Sequence, residues 1–140
     1  MSLHPAAVLT AVAGLAAAAA LRGVRRVEVR GDSMAPALLP GDHLLVLRHA
    51  PARRGDVVAL RDPRDPGRAV VKRVAALPGA AVTCDGLVLH AGAGVVVLGD
   101  NLAASTDSRS FGAVPRRLLL GRCVYRYAPE NRRGWVARRG

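Results

Sequence analysis

A serine and the single lysine of the chain are the residues whose types favour covalent chemistry. Ser33 lies in a run of turn-forming residues over 31–42, which begins after a strand-like segment. Gly31 permits backbone angles that other residues avoid, while Pro36 and Pro40 restrict the path of the chain. The pattern is typical of a hydroxyl held in a fixed position on a loop, although most turns of this composition are only turns.

Lys72 is the only lysine in the chain, against twenty arginines. It lies in the valine-rich run 70–74, which reads as a buried strand. An arginine stays protonated in proteins, whereas a desolvated lysine can lose its proton and act as a base. A serine nucleophile with a neutral lysine base is a known arrangement for peptide hydrolysis. The alternatives are that Lys72 is a chance survivor in an arginine-rich composition, or that His43 is the base for Ser33.

A third polar stretch covers residues 99–112 and contains hydroxyls, carboxylates and one arginine. The members that could form a network are Asp100, Asn101, Ser105, Thr106, Asp107, Ser108, Arg109 and Ser110. They are dense enough for a polar network and small enough for a tight loop. The alternative interpretation is a hydrophilic turn between two strands.

Together the three stretches resemble the type I signal peptidase family of serine/lysine membrane peptidases. The matching segments are 31–36, 71–74 and 99–112, and they occur in the order typical of that family. The resemblance extends over most of the chain from Val27 to Arg122. It implies that Ser33 is the nucleophile and that Lys72 is the general base.

The same resemblance implies roles for the residues around these two. Ser105 would hydrogen-bond to the lysine and orient it, while Asp107 and Arg109 would brace the loop as an ion pair. Met34 would help to line the substrate pocket, with ordinary packing as the alternative. Gly31 stands where some relatives carry a serine that joins the oxyanion hole, so that hole would depend on the Ser33 backbone N–H, alone or with another donor.

The spacing of the strands and turns predicts a mostly β fold, which agrees with the small coiled β-sheet that the resemblance implies. We expect strands at 26–31, 43–48, 56–61, 69–77, 80–84, 86–90, 94–98 and 119–127. Only 26 residues separate Lys72 from Gly99, where larger signal peptidases insert a second β domain. The catalytic domain is therefore predicted to be a minimal core over 26–128.

The segments that flank this core are predicted to be an N-terminal membrane anchor, 1–25, and a loose basic tail, 129–140. Residues 5–21 carry no charge, and as a helix they would extend about 25 Å, the lower limit for a bilayer core of about 30 Å. Four arginines follow the apolar segment closely, which favours a cytoplasmic catalytic domain by the positive-inside rule. Signal peptidases of this type work on the outer face, so the side of the membrane stays open.

The formal net charge of +11 suggests an anionic partner. The arginines are scattered and aromatic residues make up only 3% of the chain, so stacking on nucleic-acid bases is disfavoured. We expect membrane lipid and a precursor protein, with small residues before the cleavage site, as partners. No metal or organic cofactor is implied.

The sequence therefore predicts a membrane-associated serine endopeptidase that removes an N-terminal signal peptide or propeptide. The short chain resembles the small bacterial peptidases that mature nickel-type superoxide dismutase, and a cytoplasmic catalytic domain would suit such an unexported client. General processing of secreted preproteins is the first alternative. Alternatives of another class are a LexA-like self-cleaving regulator and a non-catalytic β domain tethered to the membrane.

Overall fold

The structure is a computed structural model that describes residues 4–140. Its first element, helix α1 (Pro5–Arg22), is 18 residues long and occupies the segment predicted to be an anchor. Within residues 4–140, no helix is both long enough and apolar enough to cross a membrane. The predicted helix is present, and its length is about 27 Å.

Nine strands provide most of the regular secondary structure after α1, which confirms the predicted mostly β fold. They are β1 (Val24–Glu28), β2 (His43–Leu47), β3 (Val57–Asp62), β4 (Asp65–Ala76), β5 (Ala81–Cys84), β6 (Leu87–His90), β7 (Val96–Leu98), β8 (Leu119–Ala128) and β9 (Gly134–Trp135). Helix α2 (Ser108–Phe111) was not predicted, because four residues are too few to show helical periodicity.

The main sheet is antiparallel, with the strand order β1-β2-β8-β3-β4-β7, and β9 pairs with β8. Strands β5 and β6 form a separate hairpin. Strand β4 pairs with β3 over residues 65–73 but with β7 only over 73–76. The first half of β4 therefore keeps one edge without a strand partner among the described residues, and β1 is an edge strand of the sheet.

The core is aliphatic and is organised around β3, which is buried on both faces. Val57 and Ala59 belong to a cluster that extends under β1, β2 and the loop after β1. Val58 and Leu60 belong to a second cluster, which contains valines from β4, β7 and the segment before β8. Because β4 pairs with β3 over residues 65–73, the position of Lys72 is fixed by the most deeply buried strand of the domain.

The C-terminal segment, predicted to be loose, is attached to the sheet. Strand β9 pairs with β8, the Val136 N–H donates to the Val124 carbonyl at 2.9 Å, and the Arg139 N–H donates to the Gly55 carbonyl at 3.1 Å. Arg132 contacts the buried carboxylate of Asp42 at 2.5 Å. The expectation of a loose tail was wrong because backbone pairing and ion pairs can hold a segment that has few apolar side chains.

Candidate active site

Ser33 lies in the loop that leaves β1, in the turn that follows Gly31. Gly31 has a φ of 74°, a left-handed conformation that a residue with a side chain rarely adopts. Two backbone hydrogen bonds close the next turns, from Ala35 N to Asp32 O at 3.1 Å and from Leu38 N to Met34 O at 2.9 Å. The serine is therefore held by a compact loop instead of by a strand or a long helix.

Lys72 lies on β4 directly opposite Val58 of β3, and its exposed fraction is only 5%. Burial lowers the pKa of the Lys72 ammonium from its ordinary value of 10.5, and the carboxylates of Asp107 and Asp62 partly oppose this shift. Desolvation disfavours the charged form because the interior solvates an ammonium less well than water. The site therefore increases the neutral fraction of the lysine, as a base requires.

One small cavity, which we call the active-site cavity, brings Ser33 and Lys72 together. Its volume is about 170 Å³, and both residues line it. The other walls come from segment 28–32, the first half of β4 and residues 99–112, which we call the polar loop and which contributes Thr106. His43 does not line this cavity; its ring packs against that of Tyr127, with centroids 5.8 Å apart. The arrangement therefore favours lysine over histidine as the partner of the serine.

Asp107 is the centre of the polar loop and has no exposed surface. Its carboxylate accepts hydrogen bonds from Arg109 Nε at 2.9 Å, Ser105 Oγ at 2.8 Å and the Gly99 N–H at 3.0 Å. Burial alone would raise the pKa of Asp107, but these hydrogen bonds outweigh it and hold the pKa below its ordinary value. The carboxylate is therefore charged and holds the two ends of the loop together.

The polar loop also directly contacts residues 31–42, which carry Ser33 and which we call the serine loop. The Asn101 N–H donates to the Ser33 carbonyl at 2.9 Å, and Asn101 Nδ2 donates to the Asp32 carbonyl at 3.2 Å. A Cβ atom at Gly99 would collide with Ser105 Oγ and would lie 2.6 Å from the Ser33 carbonyl oxygen. Glycine at this position therefore allows the close approach of the two loops.

The ion pair between Arg73 and Asp100 was missed by the sequence analysis. Arg73 Nε and Nη2 each donate to a different oxygen of Asp100 at 2.7 Å, and Arg73 Nη1 donates to the Gly55 carbonyl at 2.8 Å. The pair joins the strand residue after Lys72 to the polar loop. Both residues lie inside the matching motifs and neither had an assigned role. An acidic and a basic residue left over in this way were the signal from which the ion pair could have been predicted.

The supporting residues differ in how well their positions match the expected roles. Asp107 and Arg109 form an ion pair, as the resemblance implied. The Ser105 hydroxyl donates to the charged Asp107, and no hydrogen bond between Ser105 and Lys72 is present among the described residues. Met34 is completely buried in the core and does not line the cavity, so packing accounts for it.

Comparison with known proteins agrees with this geometry. The family model described as "Signal peptidase, peptidase S26" matches residues 3–95 and 91–128. The chain belongs to the signal peptidase family. As a member of this family it is a serine peptidase, and its resemblance to signal peptidases is confirmed at the level of the family.

Three relatives show how similar this signal peptidase family member is in sequence to known proteins. The mitochondrial ATP-independent inner membrane protease subunit 1a of Arabidopsis thaliana is 43% identical, over 77% of this chain and 73% of the relative. The mitochondrial inner membrane protease subunit 2 of Mus musculus is 37% identical, over 78% and 69%. The probable signal peptidase I-1 of Synechocystis is 30% identical, over 76% and 72%.

Proposed function

We propose that this signal peptidase family member uses Ser33 as its nucleophile and Lys72 as its general base to remove an N-terminal signal peptide or propeptide from a precursor protein. The observation that carries the proposal is that the only lysine of the chain is buried and lines the same cavity of about 170 Å³ as the serine. Arginine is used for almost every other positive charge, so a lysine here points to a function that needs a removable proton.

The reaction follows from the proton that Lys72 can accept. Neutral Nζ takes the proton of the Ser33 hydroxyl while Oγ attacks the scissile carbonyl. The lysine ammonium then gives this proton to the leaving amine, which leaves an acyl-enzyme on Ser33. A water molecule, deprotonated by Lys72, attacks the ester and releases the acid with Ser33 restored.

The oxyanion of the intermediate needs a hydrogen-bond donor, and the Ser33 N–H is available for it. Within residues 4–140 this N–H makes no hydrogen bond to another group. Gly31 brings no hydroxyl to the site, in contrast to relatives with a serine there. The proposed hole therefore depends on backbone N–H groups, and the loss of one donor is expected to cost roughly 3 kcal/mol of transition-state stabilisation.

The substrate is proposed to bind as an extended strand across the active-site cavity. Segment 28–33 and segment 68–72 of β4 both line the cavity. Each of them has an edge without a strand partner among the described residues. Free edges recognise an extended peptide through backbone hydrogen bonds, with side-chain pockets for specificity. A cavity of about 170 Å³ suits small side chains before the scissile bond.

A membrane setting is proposed from the relatives and from helix α1. Relatives in Arabidopsis thaliana and Mus musculus are named as mitochondrial inner membrane proteases. Helix α1 precedes β1 by one residue and contains no charged residue before Arg22. A helix of this kind can associate with a bilayer through its apolar residues whether or not it spans.

Two kinds of client are compatible with this chemistry: many exported preproteins, or one dedicated precursor such as nickel-type superoxide dismutase. To distinguish them, protein N-termini would be compared across cells that express the native chain or Ser33→Ala. Ser110→Ala is the matched control, since Ser110 is exposed on α2 and outside the cavity.

Retention of many signal peptides in the Ser33→Ala cells alone would show general processing, and retention of one extension would identify a dedicated client. Cleavage of this chain alone would favour a LexA-like self-cleaving regulator. Unchanged N-termini in cells that contain the expressed variant would contradict the peptidase proposal.

A further inference from the structure

A second concavity, which we call the arginine groove, shares no lining residue with the active-site cavity. Its volume is about 970 Å³. Five arginines line it: Arg25, Arg48, Arg61, Arg116 and Arg117. They come from β1, β3, the residue after β2 and the segment before β8, so the fold gathers residues that are distant in the sequence.

The positive charge of the arginine groove is not compensated. Among the described residues, no aspartate or glutamate lines the groove. Apart from the five arginines, His49 is the one lining residue whose side chain can carry a charge. None of the five arginines forms an ion pair with a carboxylate within residues 4–140, whereas arginines elsewhere pair with Asp42, Asp62, Asp100 and Asp107. Guanidinium groups that share a concavity repel one another, so an anion would relieve the repulsion.

The walls of the arginine groove are apolar between the charges. Val58 and Val95 are almost completely buried, with exposed fractions of 1% and 2%, and Leu119 and Leu120 are half-buried. The half-buried leucines therefore offer aliphatic surface in the same groove as the guanidinium groups. This combination suits an amphiphile with an anionic head better than a fully hydrated polyanion.

The groove lies where the chain leaves helix α1. Arg25 follows the last residue of α1 by three positions, and the Arg48 N–H donates to the Gly23 carbonyl at 2.8 Å. An apolar helix and a basic surface so close together would both face a bilayer. The net charge of +11 is evident from the sequence, but only the fold brings five of the contributing arginines together at this point.

We propose that the arginine groove binds the headgroups of anionic phospholipids at the bilayer surface and holds the catalytic domain against the membrane. Guanidinium groups can bond phosphate oxygens in pairs, and the half-buried Leu119 and Leu120 can contact the upper part of an acyl chain. The inference deepens the proposed membrane setting and does not depend on the Ser33–Lys72 chemistry.

The test measures the partition of the full chain onto two kinds of vesicle, phosphatidylcholine alone and phosphatidylcholine mixed with phosphatidylglycerol. The groove variant is R48Q/R116Q/R117Q. The matched control is R53Q/R54Q/R138Q, which removes three exposed arginines that lie outside both cavities and form no ion pair among the described residues. Both variants lower the formal net charge equally, since each loses three of the twenty arginines.

We expect the groove variant to lose roughly a hundredfold of its preference for anionic vesicles, and the control to lose only a few-fold. Binding to vesicles of phosphatidylcholine alone should not differ between them. Equal losses would show that the charge acts without a groove and would overturn the inference. It would also be overturned if the groove variant kept its vesicle binding but lost binding to a poly-glutamate peptide, since the occupant would then be an acidic protein segment.

A cleavage assay with a short soluble peptide distinguishes a failure of the membrane-binding inference from a failure of the peptidase proposal. The groove arginines do not line the active-site cavity, so the groove variant should cleave such a peptide at the native rate. A variant that loses membrane preference but retains cleavage would support both statements. A native chain that binds anionic vesicles without cleaving any peptide would contradict only the peptidase chemistry.

Discussion

At the scale of single residues, Lys72 combines burial, charge and chemistry. Its environment lowers the pKa of the ammonium, while the aliphatic neighbours on β3 and β4 hold the side chain in place. Gly99 has the complementary role of allowing two loops to approach. Each position is expected to tolerate few alternatives, because the proposed base needs a removable proton and Gly99 needs the absence of a Cβ atom.

Replacement of Lys72 by arginine is expected to lower kcat/KM by roughly 10²–10⁴-fold. The positive charge is kept, but a guanidinium cannot give up its proton to act as a base. The measurement is cleavage of a peptide with alanine before the scissile bond, with circular dichroism to verify folding. Arg53→Lys is the control, because Arg53 is exposed and outside the cavity. Near-native activity of Lys72→Arg would contradict the proposed base.

The pH dependence of kcat/KM should report the ionisation of Lys72. Only the neutral amine can accept the serine proton, so activity should increase about tenfold per pH unit and level off above the pKa of the lysine. Burial lowers that pKa, so the plateau should begin below pH 10.5. Asp62 raises the pKa of Lys72, so Asp62→Asn should shift the rising limb to lower pH. A rise that continued to pH 10.5 would show an unperturbed lysine.

Substitution of Gly99 by alanine is expected to lower the free energy of unfolding by about 1–3 kcal/mol and to reduce activity. The added Cβ would push Ser105 and the Ser33 carbonyl apart. Gly134→Ala is the matched control, because a Cβ there meets no atom within 4 Å. Urea unfolding and peptide cleavage measure the two effects, and equal stability of the two variants would contradict the close approach.

At the scale of the elements, the polar loop and α2 act as one unit that is centred on a buried carboxylate. Asp107 caps α2 by accepting the Arg109 N–H at 3.1 Å, and it also bonds the Arg109 side chain and Gly99. A charge with no exposed surface is tolerated only when such partners are present. The geometry of the loop against Ser33 therefore depends on this network.

Arg109→Gln is expected to destabilise the fold by roughly 3–5 kcal/mol at neutral pH, because it leaves Asp107 buried without its cation. The hydrogen bonds hold the pKa of Asp107 in the folded state below its ordinary value of 3.8. The charged carboxylate therefore stabilises the fold fully above pH 3.8, and this stabilisation is lost as the pH falls through the folded-state pKa. The difference between native and variant should therefore shrink in acid. Urea unfolding across this pH range measures it.

Asp85→Asn is the control for that experiment. It removes the other, exposed ion pair of Arg109, in which the Asp85 side chain has an exposed fraction of 55%. An exposed pair contributes about 0–1 kcal/mol, so the expected loss is small. If both substitutions cost the same, the buried carboxylate would not be the centre of the loop.

At the scale of the whole molecule, the C-terminal segment closes the domain instead of hanging from it. Arg73 Nη1 donates to the Ala137 carbonyl at 3.0 Å as well as to Gly55, so the residue after Lys72 is tied to the tail. Asp42, buried at the end of the serine loop, contacts Arg126 on β8 and Arg132 in the tail. The tail is therefore expected to contribute to the stability of the site.

Deletion of residues 134–140 is expected to lower the free energy of unfolding by about 2–3 kcal/mol, through the loss of backbone hydrogen bonds and the packing of Val136. Trp135→Ala is the control, because this side chain is 81% exposed and its removal leaves the backbone pairing intact. Urea unfolding compares the two variants. A deletion as stable as the native chain would restore the interpretation of a loose tail.

Much of this molecule follows from local patterns that the sequence alone determines. The strands were located because alternating apolar residues and glycine or proline turns act within a few positions. Ser33 and Lys72 stood out by residue type and composition, and Asp107 and Arg109 by their place in a matching motif. These features need only the nearest neighbours or a resemblance to be recognised.

The tertiary structure decided which of these residues meet and how their protons are shared. The Ser105 hydroxyl donates to Asp107, Met34 belongs to the core, and Arg73 joins Asp100. The attached tail and the arginine groove likewise depend on contacts between segments that are distant in the sequence. No local pattern contains such contacts, because their geometry is set by the packing of the whole sheet. The same packing determines how deeply Lys72 is buried, and its pKa depends on that burial.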